Sequence, residues 1–222
     1  MIVQLWRKFG NYENENSFAY KLRKKRFNIF IDFMNEGPNS KLLDVGGSQK
    51  YWDKIGFSQQ DKHQITLLNI NDTYLAKETK SNFINHVGDA RDMKEFKDKD
   101  FDIVFSNSVI EHVGDFEEQK KMANEVIRVG KRYSIQTPSR YFPIEPHYMF
   151  PFFQFLPLTI KLFLHMHFDL GSVKKQPDKQ KALKCVKSIR LLSFKDVKTL
   201  FPNAKIRKEK ILFFTKSYTA IG

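Results

Sequence analysis

The sequence predicts an α/β fold built on a mostly parallel sheet. Three features point there: short apolar runs alternating with amphipathic stretches, a Gly-Gly turn closing the first run, and two strand-like segments at the end. Residues 1–37 read as a basic helical lead-in. Phe18, Leu22, Ile29 and Phe33 fall near helical spacing, and the basic residues are densest in Lys21–Arg26 (KLRKKR). Gly37-Pro38-Asn39 breaks that pattern. Strands are then expected at Lys41–Val45 (KLLDV), Gln64–Ile70 (QITLLNI), Asn82–Val87, Phe101–Asn107 (FDIVFSN) and Arg132–Thr137 (RYSIQT). Between the last two, Phe116–Val129 carries Met122, Val126 and Val129 as an apolar helical stripe. Strands alternating with helices imply βαβ units with right-handed crossovers. Tyr141–Phe168 differs, being dense in Phe and punctuated by four prolines. It is expected to be a lid or acceptor insertion spanning 138–185 of a single domain, 1–222. Ser193 should cap a helix over Phe194–Phe201, and Lys205–Phe214 and Lys216–Ile221 should form two closing strands.

Composition narrows the function. A chain of 222 residues with 41% apolar and 14% aromatic residues can bury a core without staples. The single cysteine, Cys185, rules out a disulfide framework and a multi-cysteine zinc site. Lys and Arg outnumber Asp and Glu by 38 to 25, leaving a net charge of +13 that favours anionic partners: nucleic acid, an acidic membrane surface or a phosphorylated substrate. The opening residues have a short apolar patch but no signal-peptide core, so a cytoplasmic protein is expected, peripheral at most to the inner face of the membrane.

In an open parallel sheet the ligand sits beyond the carboxyl ends of the strands. The first strand leads into Asp44-Val45-Gly46-Gly47-Ser48, where the glycines allow a tight turn and close approach of backbone to a ligand. A dinucleotide fingerprint starting at Gly46 would place glycines where Ser48 and Tyr51 stand, and the phosphate-binding G-x-x-x-x-G-K-[ST] loop is absent. This turn, Val87-Gly88-Asp89-Ala90, the strand-to-loop text FDIVFSNSVIEH and the closing Leu192–Gly222 together resemble class I S-adenosylmethionine-dependent methyltransferases of the type 11 group, over roughly residues 40–222. The resemblance implies a Rossmann-like, seven-stranded, mostly parallel sheet with helices on both faces and an antiparallel C-terminal hairpin. It implies S-adenosyl-L-methionine as cofactor, held by Asp44, Gly46, Gly47, Asn69, Asp89, Ala90 and Asn107. Backbone N–H groups of the glycine turn suit the methionine carboxylate. Asp44 either orders the turn or receives the ammonium, Asp89 suits the adenine amino group, and Asn107 the methionine end. Asn69 stands where the family usually has a ribose-binding carboxylate, and an amide grips two hydroxyls without charge assistance.

Methyl transfer needs alignment, a dry site and sometimes a base. Thr137–His147 (TPSRYFPIEPH) gathers polar groups where an acceptor belongs. His147 is the candidate general base with Glu145 as its orienting partner, and His112 is a second candidate. His165 and His167 are spaced too closely to share a helical face, so no metal is expected at His147, His165, His167 and Asp169. Pro151 and Pro157 interrupt Met149–Phe168, which excludes a spanning helix and leaves an apolar cover for an amphiphilic acceptor or an interfacial segment beside Lys174, Lys175, Lys179 and Lys181. The expected activity is methyl transfer to a small-molecule, glycan or lipid-linked acceptor. The alternatives are an RNA methyltransferase, against which stand the missing NPPY or DPPY motif and RNA-binding module, and a non-catalytic binding protein of the same fold.

Overall fold

The computed structural model describes residues 18–34, 40–54, 63–74 and 80–222. It divides into two compact units, one of Glu36–Phe142 with Lys187–Gly222, the other of Met1–Asn35 with Pro143–Val186.

The first unit is a seven-stranded sheet in the order β3-β2-β1-β4-β5-β9-β8. Its strands are β1 (Lys41–Val45), β2 (Gln64–Asn69), β3 (Phe83–Val87), β4 (Phe101–Asn107), β5 (Gly130–Pro138), β8 (Lys205–Ile211) and β9 (Phe214–Ile221). The strands β1 to β5 run parallel, and β9 pairs antiparallel with both β5 and β8. The strands β1 and β2 are buried at every residue after their first because both sheet faces are covered.

One face is covered by α3 (Phe116–Val129) and α6 (Phe194–Leu200). Asp115 caps α3 by accepting from the Glu118 amide, acidic residues fill its first turn, and Arg128 lies in its last. Gln119, Met122, Ala123, Val126 and Val129 form its buried stripe and pack on Leu43, Val104 and Ile135. Ser193 and Asp196 form a reciprocal capping box at the start of α6. On the opposite face, Tyr51 and Trp52 of α2 (Gln49–Lys54) meet the ring of Phe105 from β4. No loop separates α3 from β5. Gly130 is both the helix cap and the first strand residue, a Cβ there would crowd Val104, and Lys99 donates through Nζ to the carbonyls of Ile127 and Gly130.

The second unit holds α1 (Phe18–Met34), with Phe27 and Phe30 buried, followed in chain order by β6 (Ile144–Glu145), β7 (Phe150–Pro151), a 3-10 turn at Phe153–Phe155, α4 (Leu158–His167) and α5 (Lys179–Lys187). Tyr148 stacks on Phe153 with ring centroids 3.9 Å apart and meets His165 edge-on. The proline-punctuated stretch therefore contains a short hairpin and a ten-residue helix starting directly after Pro157.

Several element boundaries move from their expected places, the second strand ending at Asn69 rather than Ile70 and the last helix at Leu200 rather than Phe201. The third strand starts at Phe83 rather than Asn82, and the fifth extends to Gly130 and Pro138 because the helix before it passes straight into strand. The closing hairpin turns at Leu212-Phe213, although the run ILFF reads as uninterrupted strand, because Leu212 adopts φ +53°. Helix 1 begins at Phe18, and the lead-in before it lies outside the described residues.

Removing packing from the α3 stripe should cost more than removing a cap. Met122→Ala is expected to destabilise by about 2–5 kcal/mol and Ser193→Ala by about 1 kcal/mol, read from the urea midpoint at unchanged slope.

Candidate functional site

The carboxyl ends of β3, β2, β1 and β4 lie side by side, and each delivers residues singled out in the sequence. At the end of β1, Asp44 is buried beneath the turn that follows, and its Oδ2 accepts from the indole Nε1 of Trp52 at 2.6 Å. Burial outweighs that hydrogen bond and pushes the carboxyl up to about 7. The turn can close over Asp44 only with glycine. Gly46 has φ +75° and a Cβ there would strike Val109, while a Cβ on Gly47 would fall on the Asp44 carboxylate itself.

The neighbouring strand ends hold the turn from the side. The Gly46 amide donates to the Leu68 carbonyl at 2.7 Å, and the Asn69 amide side chain donates to the Gly47 carbonyl at 2.9 Å. Asn69 thereby spends its donor on the turn and keeps its oxygen as an acceptor. Its own carbonyl receives the Gly88 amide at 2.9 Å, which fixes the start of the β3 loop. On the other side, the Ser106 hydroxyl of β4 donates to the Val45 carbonyl at 3.0 Å.

In the β3 loop, Asp89 accepts from Arg91 Nε and Nη2, the latter at 2.6 Å, while Arg91 Nη1 reaches Glu118 of α3 at 2.7 Å. The guanidinium hydrogen bonds hold the Asp89 carboxyl below the usual range, so it stays charged. Ala90 packs against the apolar core. Asn107 ends β4 beside Gln136. The next residue, Ser108, takes φ +59° and donates to Gln136 Oε1 at 2.8 Å, a strained turn for a residue with a Cβ. Glu111 is fully buried and accepts from Thr137 Oγ1 at 2.9 Å; His112 is exposed.

In the other unit, Glu145 is buried and organises the residues after it. It accepts from the His147 and Tyr148 amides at 2.7 and 2.6 Å, and His147 Nδ1 lies 2.7 Å from Oε1. The remaining histidines of this unit have other engagements. His165 is buried against Tyr148, where burial lowers its imidazole, and His167 bonds the Phe163 carbonyl. Asp169 binds Lys174 and the Lys175 amide.

The structure thus brings Asp44, Gly46, Gly47, Asn69, Asp89, Ala90 and Asn107 to adjacent strand ends of one unit, and pairs Glu145 with His147 in the other. Sequence reasoning missed Trp52, Arg91, Ser108 and Gln136. Trp52 could have been found as a donor one helical turn beyond the glycines; nothing in the sequence marks Ser108 as strained.

A glycine turn over a buried acid at β1, followed by polar loops after β2, β3 and β4, is the ligand edge of a doubly wound nucleotide-type fold. Residues 43–135 match the family model of a methyltransferase domain. Solved structures agree in fold. An S-adenosylmethionine-dependent methyltransferase of Methanosarcina mazei superposes with TM-score 0.54 at 16% identity, covering 86% of this chain and 95% of that one. A Pyrococcus horikoshii protein gives 0.57 at 20% identity, covering 98% and 97%. Phosphoethanolamine N-methyltransferase 2 of Haemonchus contortus, solved with S-adenosyl-L-methionine, gives 0.54 at 15%, covering 83% of this chain and 38% of that one. An uncharacterized protein of Mycobacterium tuberculosis is 35% identical over 68 residues, 31% of this chain and 23% of its own length, so the match spans under a quarter of that relative. Residues 43–135 are thus similar to a methyltransferase domain, and the fold agrees with that of solved S-adenosylmethionine-dependent methyltransferases.

The buried acid gives a pH signature. Because its folded-state pKa is raised, the native state keeps a proton that the unfolded chain has released between about pH 4 and about 7. The stability from this group is complete below the unfolded value and lost as pH rises through the folded one. Wild-type stability should therefore fall across that window relative to Asp44→Asn, by on the order of a few kcal/mol in urea unfolding at stepped pH.

Proposed function

We propose that the protein is an S-adenosyl-L-methionine-dependent methyltransferase acting on a small-molecule, glycan or lipid-linked acceptor. The observation that carries this is the Gly46-Gly47 turn, a cradle that any side chain on Gly47 would fill and that Asp44 supports from beneath. The donor set fits the cofactor. Backbone of the turn would take the methionine carboxylate, and the Asn69 oxygen would accept from a ribose hydroxyl. Asp89, charged and with lone pairs beyond those used by Arg91, would accept from the adenine amino group, with Ala90 and Asn107 completing the contacts. Asp44, already bonded to Trp52 and closed in by the turn, orders the backbone rather than meeting the ammonium directly. When bound, the cofactor would supply an electrophilic methyl on a sulfonium; the protein's task is to align, dry and deprotonate.

For an acceptor whose nucleophile bears a proton, we assign the general base to His147. Glu145 accepts from its Nδ1 and fixes the ring, and Nε2 would take the acceptor proton. An amphiphilic acceptor is favoured by the exposed apolar residues of the second unit, Phe152, Phe155, Leu158, Ile160, Phe163 and Phe168. Among the described residues no helix is long and apolar enough to cross a membrane.

Calorimetry with S-adenosyl-L-methionine tests the cofactor reading. Wild type should bind, and Gly47→Ala and Asp44→Ala should lose at least about tenfold in affinity while keeping the native circular dichroism spectrum. No heat and no thermal shift with wild type would leave only a binding protein of the same fold. His147→Ala should bind cofactor normally, yet lose about 10²–10⁴-fold in cofactor consumption with acceptor-containing extract fractions. Full turnover by that variant would remove His147 from the base role.

A further inference from the structure

The β8–β9 hairpin ends in apolar residues that stand exposed. Its turn has two residues, Leu212 and Phe213, between the paired Ile211 and Phe214. Leu212 is 85% exposed, Phe213 94% and Phe214 49%. Two-residue hairpins with positive φ at the first turn position favour glycine there. Here a leucine holds φ +53°, so the backbone is strained in order to present an apolar side chain to solvent.

The charge around this tip has one sign. Lys205, Arg207, Lys208 and Lys210 are exposed on β8, and Lys216 stands on β9. The only acidic residue of the hairpin, Glu209, is engaged by Lys216 at 3.5 Å and by Ser217. Lys208 lies over the ring of Phe194, itself exposed, with Nζ 4.1 Å from the centroid. The surface thus joins a projecting apolar tip to a collar of basic residues, one of which, Lys208, sits over an aromatic ring.

Shape and charge together select the partner. A nearly fully exposed Phe213 can lose its hydration on every side only in a medium that envelops it, whereas a protein face covers one side. A second copy paired along β8 would bring Lys and Arg opposite Lys and Arg, which is destabilising. We propose that the hairpin tip inserts into the interface of an anionic bilayer, with Leu212, Phe213 and Phe214 among the acyl chains and the collar at the phosphate level.

Sedimentation of the full chain with vesicles tests it. Wild type should bind mixed phosphatidylcholine–phosphatidylglycerol vesicles at least about tenfold more tightly than phosphatidylcholine alone, and high salt should weaken the binding. The double variant Leu212→Gly/Phe213→Ser suits the turn better, so its thermal midpoint should be maintained or raised, while vesicle affinity falls at least about tenfold. In Phe213→Trp, the introduced indole should shift to the blue on binding and be quenched by lipids brominated near the headgroup end of the acyl chain. Equal binding of wild type and the double variant would overturn the proposal. So would an unquenched indole in the bound protein, equal binding to neutral vesicles, or preference for single-stranded RNA over vesicles.

Discussion

The carboxyl-end edge of the sheet depends on one buried acid. Asp44 has given up water for the indole N–H of Trp52 and the closed backbone of Gly46-Gly47. An acid in that position is costly to ionise, which the raised pKa records, and the cost is tolerated because the side chain fixes the shape of the turn. Trp52 links it further, since the same indole packs on Phe105 in the neighbouring strand β4. A single residue therefore ties the turn to the helix that follows and to the sheet beside it. Asn69 and Ser106 repeat the logic from either flank, each holding a backbone carbonyl at the end of β1 or in the turn beyond it.

Most of the sheet was legible in the sequence because its strands are short apolar runs closed by polar loops, and tertiary packing agrees with the local pattern. The parallel pairing of the central strands followed from the β-α alternation, and Asp44, Asn69, Asp89 and Asn107 were found by reading the ends of the runs and the loops beyond them. What escaped was conformation that the pattern does not encode. The left-handed backbone at Ser108 and Leu212 is imposed by hydrogen bonding and strand pairing, not by residue preference. Arg91 escaped because an arginine in a basic chain attracts no notice, although it bridges Asp89 and Glu118. The proline-rich stretch concealed α4, whose helix begins immediately beyond the last proline.

The two carboxylates of the strand-end loops are kept in opposite protonation regimes by their surroundings. Asp44 is desolvated with one neutral donor and leans towards the acid form near neutrality. Asp89 faces a guanidinium and remains an anion. Burial decides for Asp44, and the facing guanidinium decides for Asp89.

The direct passage from α3 into β5 at Gly130 has a mechanical consequence. With no connecting loop there is no slack, so the helix cannot slide or fray at its C-terminal end without dragging the strand's register against β4 and β9. Helix and strand open as one cooperative element, and their amides share a single protection from solvent exchange. Slack at this end of the sheet is thereby confined to the loops that follow the strands.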